Sequence, residues 1–210
     1  MDLNKGIIAV GAHPDDIELG CGASLAKLVN SGFDIYAIVV SKGEAGNPFK
    51  LDRSDEACVA LRSLGVKEVY SLSFEDTKLP TKLCEIIDSL CHLYKIISKS
   101  INAKRVYTMC ENDRHQDHRA IYDASLIAFR DVPQILCYET PSAWANFHPN
   151  IFEKLDEVHL IKKIEALKNH KSQSHRQYMQ ENQIRSVAMF RGQQAGYNFS
   201  EGFIPYKMVL

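Results

Sequence analysis

The sequence predicts an α/β fold, Rossmann-like, with a mainly parallel sheet covered by helices on both faces and a helical C-terminal extension. Three observations carry this. Short runs of β-branched and aromatic residues, bounded by Gly, Asp, Asn or Ser, recur along the first two thirds of the chain. Stretches with apolar residues near helical spacing separate them, and strand, helix and strand in succession imply parallel pairing with both sheet faces covered. The last third drops this alternation.

Residues 6–10 (GIIAV) form the first expected strand. The first helix follows over 19–30, where Leu19, Leu25, Leu28 and Val29 share one side. Residues 35–40 (IYAIVV) are the second strand, and 54–64 a helix carrying Ala57, Ala60, Leu61 and Leu64. A third strand at 69–74 (VYSLSF) leads to an amphipathic helix over 82–100. The fourth strand is 106–110 (VYTMC), followed by a helix over 119–129, and the fifth is 135–138 (ILCY). Beyond it, 160–172 and 176–190 read as helices before the glycine-containing stretch 191–202. No Pro- or Ser-rich linker interrupts the chain, so residues 1–210 are expected to be a single domain.

Composition narrows the function. With 45% hydrophobic residues the chain can bury a sizeable core, and a formal net charge of -1 gives no positive field for nucleic acid or an anionic membrane. The N-terminal apolar stretch is too brief for a secretory segment or a membrane span, so a cytoplasmic location is expected. Six cysteines are scattered with no CxxC pair, as fits reduced thiols packing as small hydrophobes. Cys21 lies near the first motif below but lacks the close partner of a thiolate metal site.

Two strings carry the chemistry: HPDD at 13–16, after the first strand, and HQDH at 115–118, after the fourth. Open α/β sheets place ligands at the carboxyl ends of their strands, so these loops and SKGEAG at 41–46 are expected on one rim. Imidazole plus carboxylate is the ligand set of an open catalytic zinc site, which takes three protein ligands. His13 and Asp16, three apart across Pro14, suit one side of an ion, and His118 is the expected third ligand. Asp15 is then placed as general base. His115, held protonated by Asp117, would stabilise a negative oxygen and donate to a leaving group. Any one of these aspartates alone would read as a turn residue or helix cap; their joint clustering points to a metal. His148, in the loop WANFHPN, is a candidate substrate contact, whereas His92, His159 and His170 read as ordinary helix residues.

Through these residues the chain resembles the PIG-L/LmbE-like family of zinc-dependent N-acetylglucosaminyl deacetylases. The likeness covers AVGAHPDDIELGCG at 9–22, SKGEAG, the RxxEA element at 53–57, HQDHRA, ALKNHKSQ at 166–173 and RGQQAGYNFSEGF at 191–203. Gln116 stands where the family commonly has proline, a departure expected to touch loop rigidity rather than metal binding. The resemblance implies His13, Asp16 and His118 as zinc ligands, Asp15 as base, and His115 as the cationic group tuned by Asp117. It further implies that Arg53 approaches the substrate; Glu44 and Glu201 are given loop or surface roles. The implied reaction hydrolyses an acetamido group on an N-acetylglucosamine-type conjugate to amine and acetate. Fe(II) is admitted by the same donors as Zn2+. The expected partners are that small molecule and further copies of the chain in a homo-oligomer, with no nucleic acid and no membrane span.

Two rivals are weaker. A non-catalytic nucleotide-binding module would need the GxGxxG fingerprint, which neither SKGEAG nor GCGAS supplies. A metal-dependent phosphoesterase would need more carboxylate ligands and a bridging position.

Overall fold

The computed structural model describes residues 3–46 and 51–209. Five strands lie where β-branched runs predict them: β1 (Asn4–Gly11), β2 (Asp34–Ser41), β3 (Glu68–Phe74), β4 (Ile101–Thr108) and β5 (Gln134–Tyr138). They pair in parallel in the order β3-β2-β1-β4-β5. The central strands β1 and β2 are buried almost end to end, as expected where helices cover both faces, whereas β3 at the edge alternates between half-buried and exposed positions.

The helices are α1 (Asp16–Asn30), α2 (Ser54–Ser63), α3 (Leu83–Ile97), α4 (Gln116–Ala128), α5 (Glu157–Leu167) and α6 (Glu181–Ala195). One layer packs α1 and α2 against α5, with α6 beside α5; the other pairs α3 with α4. Between them Ile7, Ile8, Val10, Ile35, Ile38, Val106 and Ile135 make a continuous apolar core. Gly20 lets α1 lie directly on the sheet: a Cβ there would overlap the ring of Tyr138. That ring cannot readily move, because its hydroxyl donates to Val10 O at 2.7 Å.

The C-terminal third corrects the expectation of a purely helical extension. Two further strands, β6 (Ile151–Leu155) and β7 (Phe199–Met208), extend the sheet, with β7 antiparallel to both β5 and β6. The expected helix over 160–172 is α5 and starts earlier, and that over 176–190 is a short 3-10 turn (Gln177–Met179) followed by α6. In β7 the sequence FSEGFIPYKM mixes Gly, Pro and charge, which hides the period-2 pattern of a strand.

This topology positions the site. Strand order reverses at β1, since β2 and β3 extend to one side and β4 and β5 to the other, leaving a crevice beyond the carboxyl ends of β1 and β4. HPDD and HQDH follow those two strands. The helix expected over 119–129 also starts earlier: α4 begins at Gln116, so His118 lies in the first turn of a helix rather than at the end of a loop. Gln116 therefore occupies a first-turn position, where proline is well tolerated, and its Nε2 donates to Thr77 O at 3.2 Å.

Candidate active site

The chain leaves β1 at Gly11 and turns into α1 through Ala12, His13, Pro14 and Asp15. Asp15 adopts φ 103°, a left-handed conformation that an aspartate holds only when its surroundings enforce it. Arg53 does so from the start of α2: its Nη2 donates to Asp15 Oδ2 at 2.6 Å and to Pro14 O at 2.7 Å. Arg53 is 4% exposed, and its Nε has no partner among the described residues. Burial raises the Asp15 carboxyl to about 6 despite the lowering by Arg53, so it is ionised at neutral pH yet able to take a proton.

His13, Asp16 and His118 converge. His13 Nδ1 lies 3.3 Å from His118 Nε2 and 3.3 Å from Asp16 Oδ2, and His118 Nε2 lies 3.4 Å from Asp16 Oδ1. The far nitrogen of each ring faces carboxylates. His13 Nε2 is 3.0 Å from Asp76 Oδ1 and 3.2 Å from Asp117 Oδ2, and His118 Nδ1 is 2.8 Å from Asp113 Oδ2. In a neutral ring those carboxylates draw the proton to the far nitrogen, so the nitrogens facing each other present bare lone pairs beside the Asp16 carboxylate. Two imidazole lone pairs and the Asp16 carboxylate, whose Oδ2 also accepts the His13 backbone N–H at 2.7 Å, then face one space and attract a cation.

Electrostatics agree. Burial disfavours charge on His13, but hydrogen bonds with Asp117, Asp16 and Asp76 outweigh it and hold the ring well above the ordinary imidazole value. His118, opposed by burial and favoured by Asp16 and Asp113, is raised to about 9. Asp113, against its own burial, is lowered to about 2 by His118, Ser142 and Thr140. Donor atoms of His13, His115 and His118 lie within 4.8 Å of one another, as do those of His13, Asp76 and Asp117, so the cluster could hold a metal ion.

The Asp117 carboxylate accepts the backbone N–H of Thr77 at 2.7 Å and of Leu79 at 3.2 Å besides facing His13. Its charge favours a protonated His115 without a hydrogen bond to that ring among the described residues, and it is outweighed there. His115 instead caps α4, its Nδ1 accepting the N–H of Asp117 at 3.2 Å. Burial, His13 and His118 hold the His115 pKa below the ordinary value, so this imidazole is neutral rather than pre-charged. An accepting Nδ1 leaves Nε2 as the N–H donor.

One cavity of about 330 Å³ joins these groups, lined by His13, Asp15, Asp16, His115, His118 and Arg53, and the loops after β1, β2 and β4 meet on it as expected. His148 is not brought there; it is exposed in the segment before β6. The sequence reading missed Asp76 and Asp113, which lie in loops after β3 and β4 outside either motif. Their only signal was position at strand ends. It also misread His170, which follows α5 rather than sitting in a helix and is fully buried, its Nε2 2.9 Å from Glu18 Oε1. Glu201 is likewise no surface residue: it is buried against Lys163 at 2.7 Å and accepts the N–H groups of Ala23 and Ser24.

Comparison with known proteins points to one family. Residues 8–129 match the family model described as PIG-L: GlcNAc-PI de-N-acetylase. The chain is 48% identical over 169 residues to the uncharacterized deacetylase YaiS of Escherichia coli, covering 80% of this chain and 91% of that one. It is 26% identical to the diacetylchitobiose deacetylase of Thermococcus kodakarensis, over 96% of this chain and 84% of the relative. Among solved structures, N,N'-diacetylchitobiose deacetylase from Pyrococcus horikoshii superposes with a TM-score of 0.79 at 23% identity, covering 96% of this chain and 84% of that one, which speaks for the fold. The match over both histidine motifs and more than half the chain shows that the protein belongs to the PIG-L: GlcNAc-PI de-N-acetylase family.

Proposed function

We propose that the protein is a metal-dependent deacetylase that hydrolyses the acetamido group of an N-acetylglucosamine-type sugar conjugate to a free amine and acetate. One observation carries this: three metal-type acceptors converge beside an ionised aspartate whose backbone is held strained. Family membership and the names of the relatives support it.

His13 through Nδ1, Asp16 and His118 through Nε2 would hold the ion. The two nitrogens lie 3.3 Å apart, close to the roughly 3.3–3.4 Å edge of a tetrahedron built on bonds of about 2.0–2.1 Å, and Asp16 brings one oxygen to each of them, Oδ2 at 3.3 Å from His13 and Oδ1 at 3.4 Å from His118. The alternative group with Asp76 and Asp117 would use a single imidazole, and both Asp117 oxygens already accept backbone N–H groups. Zinc is the proposed ion, and Fe(II) suits the same donors. When bound, it supplies Lewis acidity toward the acetyl oxygen and makes water more acidic.

The protein's own groups do the rest. Asp15 accepts the proton of the attacking water, and Arg53 keeps that carboxylate in place and ionised. His115 Nε2–H donates to the oxygen on which negative charge develops. Asp15, once protonated, returns that proton to the departing nitrogen. Asp117, Asp76 and Asp113 orient the two imidazoles. Arg53, on the cavity wall, is the residue we assign to substrate contact in addition to its hold on Asp15.

The same reading takes residues 1–210 as one catalytic domain that works in the cytoplasm as a homo-oligomer on a small-molecule substrate. Six unpaired cysteines suit a reducing compartment, and no helix among the described residues is long and apolar enough to cross a membrane.

The test is acetate release from a panel of N-acetylglucosaminides by the zinc-loaded and the chelated protein. Release by the loaded protein, abolished by chelation, is expected. Asp15→Asn should keep about one metal per chain and lose ~10²-fold or more in kcat, whereas His118→Ala should lose the metal. No acetate from any member of the panel would refute the reading.

A further inference from the structure

A second cavity, of about 240 Å³, opens beside the first and shares Leu19, Pro141 and Tyr178 with it. From α6, the apolar Ile184, Val187 and Ala188 line it together with Gln183 and Arg191. Four charged side chains line it as two ion pairs, so the wall carries no net charge, and Thr140, Gln183 and Ser200 add uncharged polar groups. Arg191 grips Glu139 with two nitrogens, Nε at 2.9 Å and Nη2 at 2.6 Å, and its Nη1 donates to Gln194 at 2.8 Å. Lys163 Nζ donates to Glu201 at 2.7 Å and to Leu19 O at 2.6 Å, while Glu201 Oε2 accepts the Ser24 N–H at 2.7 Å.

We propose that this second cavity is the subsite for the group joined to the amino sugar, and that it takes a neutral, largely apolar aglycone about the size of a substituted aromatic ring. The proposal rests on the deacetylase reading, since it places the sugar in the neighbouring cavity.

Charge decides the class. An anionic aglycone, such as a phosphate or carboxylate, would meet Glu139 and Glu201 beside the two cations already paired with them, and drawing Lys163 away would leave the buried Glu201 unpaired, which is strongly unfavourable. An apolar group breaks no pair and covers the α6 wall. Size decides the rest: an apolar cavity of about 150 Å³ holds a benzene, so about 240 Å³ admits a ring with a substituent. Tyr178 lines both cavities where they adjoin, and an aromatic side chain there can pack against a ring carried by the sugar.

Binding is read by calorimetry on the zinc-loaded Asp15→Asn protein with three probes: methyl N-acetylglucosaminide, phenyl N-acetylglucosaminide and N-acetylglucosamine 1-phosphate. Acetate release by the unaltered protein is measured on the same three. The phenyl probe should bind at least tenfold more tightly than the methyl one and show at least tenfold higher kcat/KM, with the phosphate no better than methyl. Val187→Asp, at a position 42% exposed on the cavity wall, should lower the phenyl-to-methyl ratio at least threefold, and its binding of the methyl probe reports that it is folded. Equal affinity for methyl and phenyl, with acetate released from both, would overturn the subsite and leave the deacetylase standing. Preference for the phosphate would overturn the neutral class. Failure of all three probes to bind or react would remove both readings.

Discussion

Replacing Arg53 by methionine tests whether this guanidinium is the partner of Asp15 or a free hand for substrate. Both side chains are buried, at 4% and 8% exposure, and meet at 2.6 Å. Removing one partner of such a pair leaves a buried carboxylate uncompensated, at a cost of ~3–5 kcal/mol. The carboxylate can relieve this by taking a proton. Its value already lies near 6 with Arg53 present, because burial outweighs the guanidinium, and loss of the guanidinium moves it higher still. A group whose folded value exceeds its unfolded one, about 3.9 for aspartate, contributes stability that is complete below the unfolded value and lost as pH rises through the folded one. The deficit of Arg53→Met should therefore grow with pH above about 6, by at most ~1.4 kcal/mol per unit, the limit for one proton. Urea unfolding of chelated protein at pH 5, 7 and 8 measures it. In an Asp15→Asn background the same substitution leaves no charge stranded, and the deficit should shrink by ~2 kcal/mol or more. A deficit that is flat with pH, or unchanged beside Asp15→Asn, would show that Arg53 does not hold Asp15.

Other consequences are equally direct. Asp113→Asn, which weakens the grip on His118 Nδ1, should lower zinc affinity ~10–100-fold in a chelator competition while leaving the fold intact. Because His13 is raised and His118 stands at about 9 in the metal-free chain, metal must displace protons there. Apparent zinc affinity should consequently rise between pH 6 and 8, by up to about tenfold per unit for each proton released, and a pH-independent affinity would count against these two ligands. Gly20→Ala drives a Cβ into the Tyr138 ring and should destabilise the protein by ~1–3 kcal/mol, read as a fall in Tm.

The central sheet was legible because a strand buried on both faces needs an unbroken apolar run. GIIAV and IYAIVV supply one, and each lies within a strand of the structure. HPDD and HQDH were legible because ligands that share a short turn must sit close in sequence. The edge was not legible: β7 pairs antiparallel with β5 and β6 through its backbone, and backbone hydrogen bonds leave no mark on residue type. Side-chain direction was equally hidden. HQDH places Asp117 two residues from His115, yet the turn of α4 sends its carboxylate toward Thr77, Leu79 and His13.

By itself, then, the sequence determined the parallel α/β core and the residue types that can clasp a metal at two strand ends, since both depend on local periodicity and short spacing. Tertiary structure alone decided that Asp76 and Asp113 stand behind the two imidazoles, that Arg53 pairs with Asp15, and that a second cavity with charge-paired walls adjoins the site. Those features join residues tens of positions apart, and only the folded chain brings their atoms within a hydrogen bond of each other.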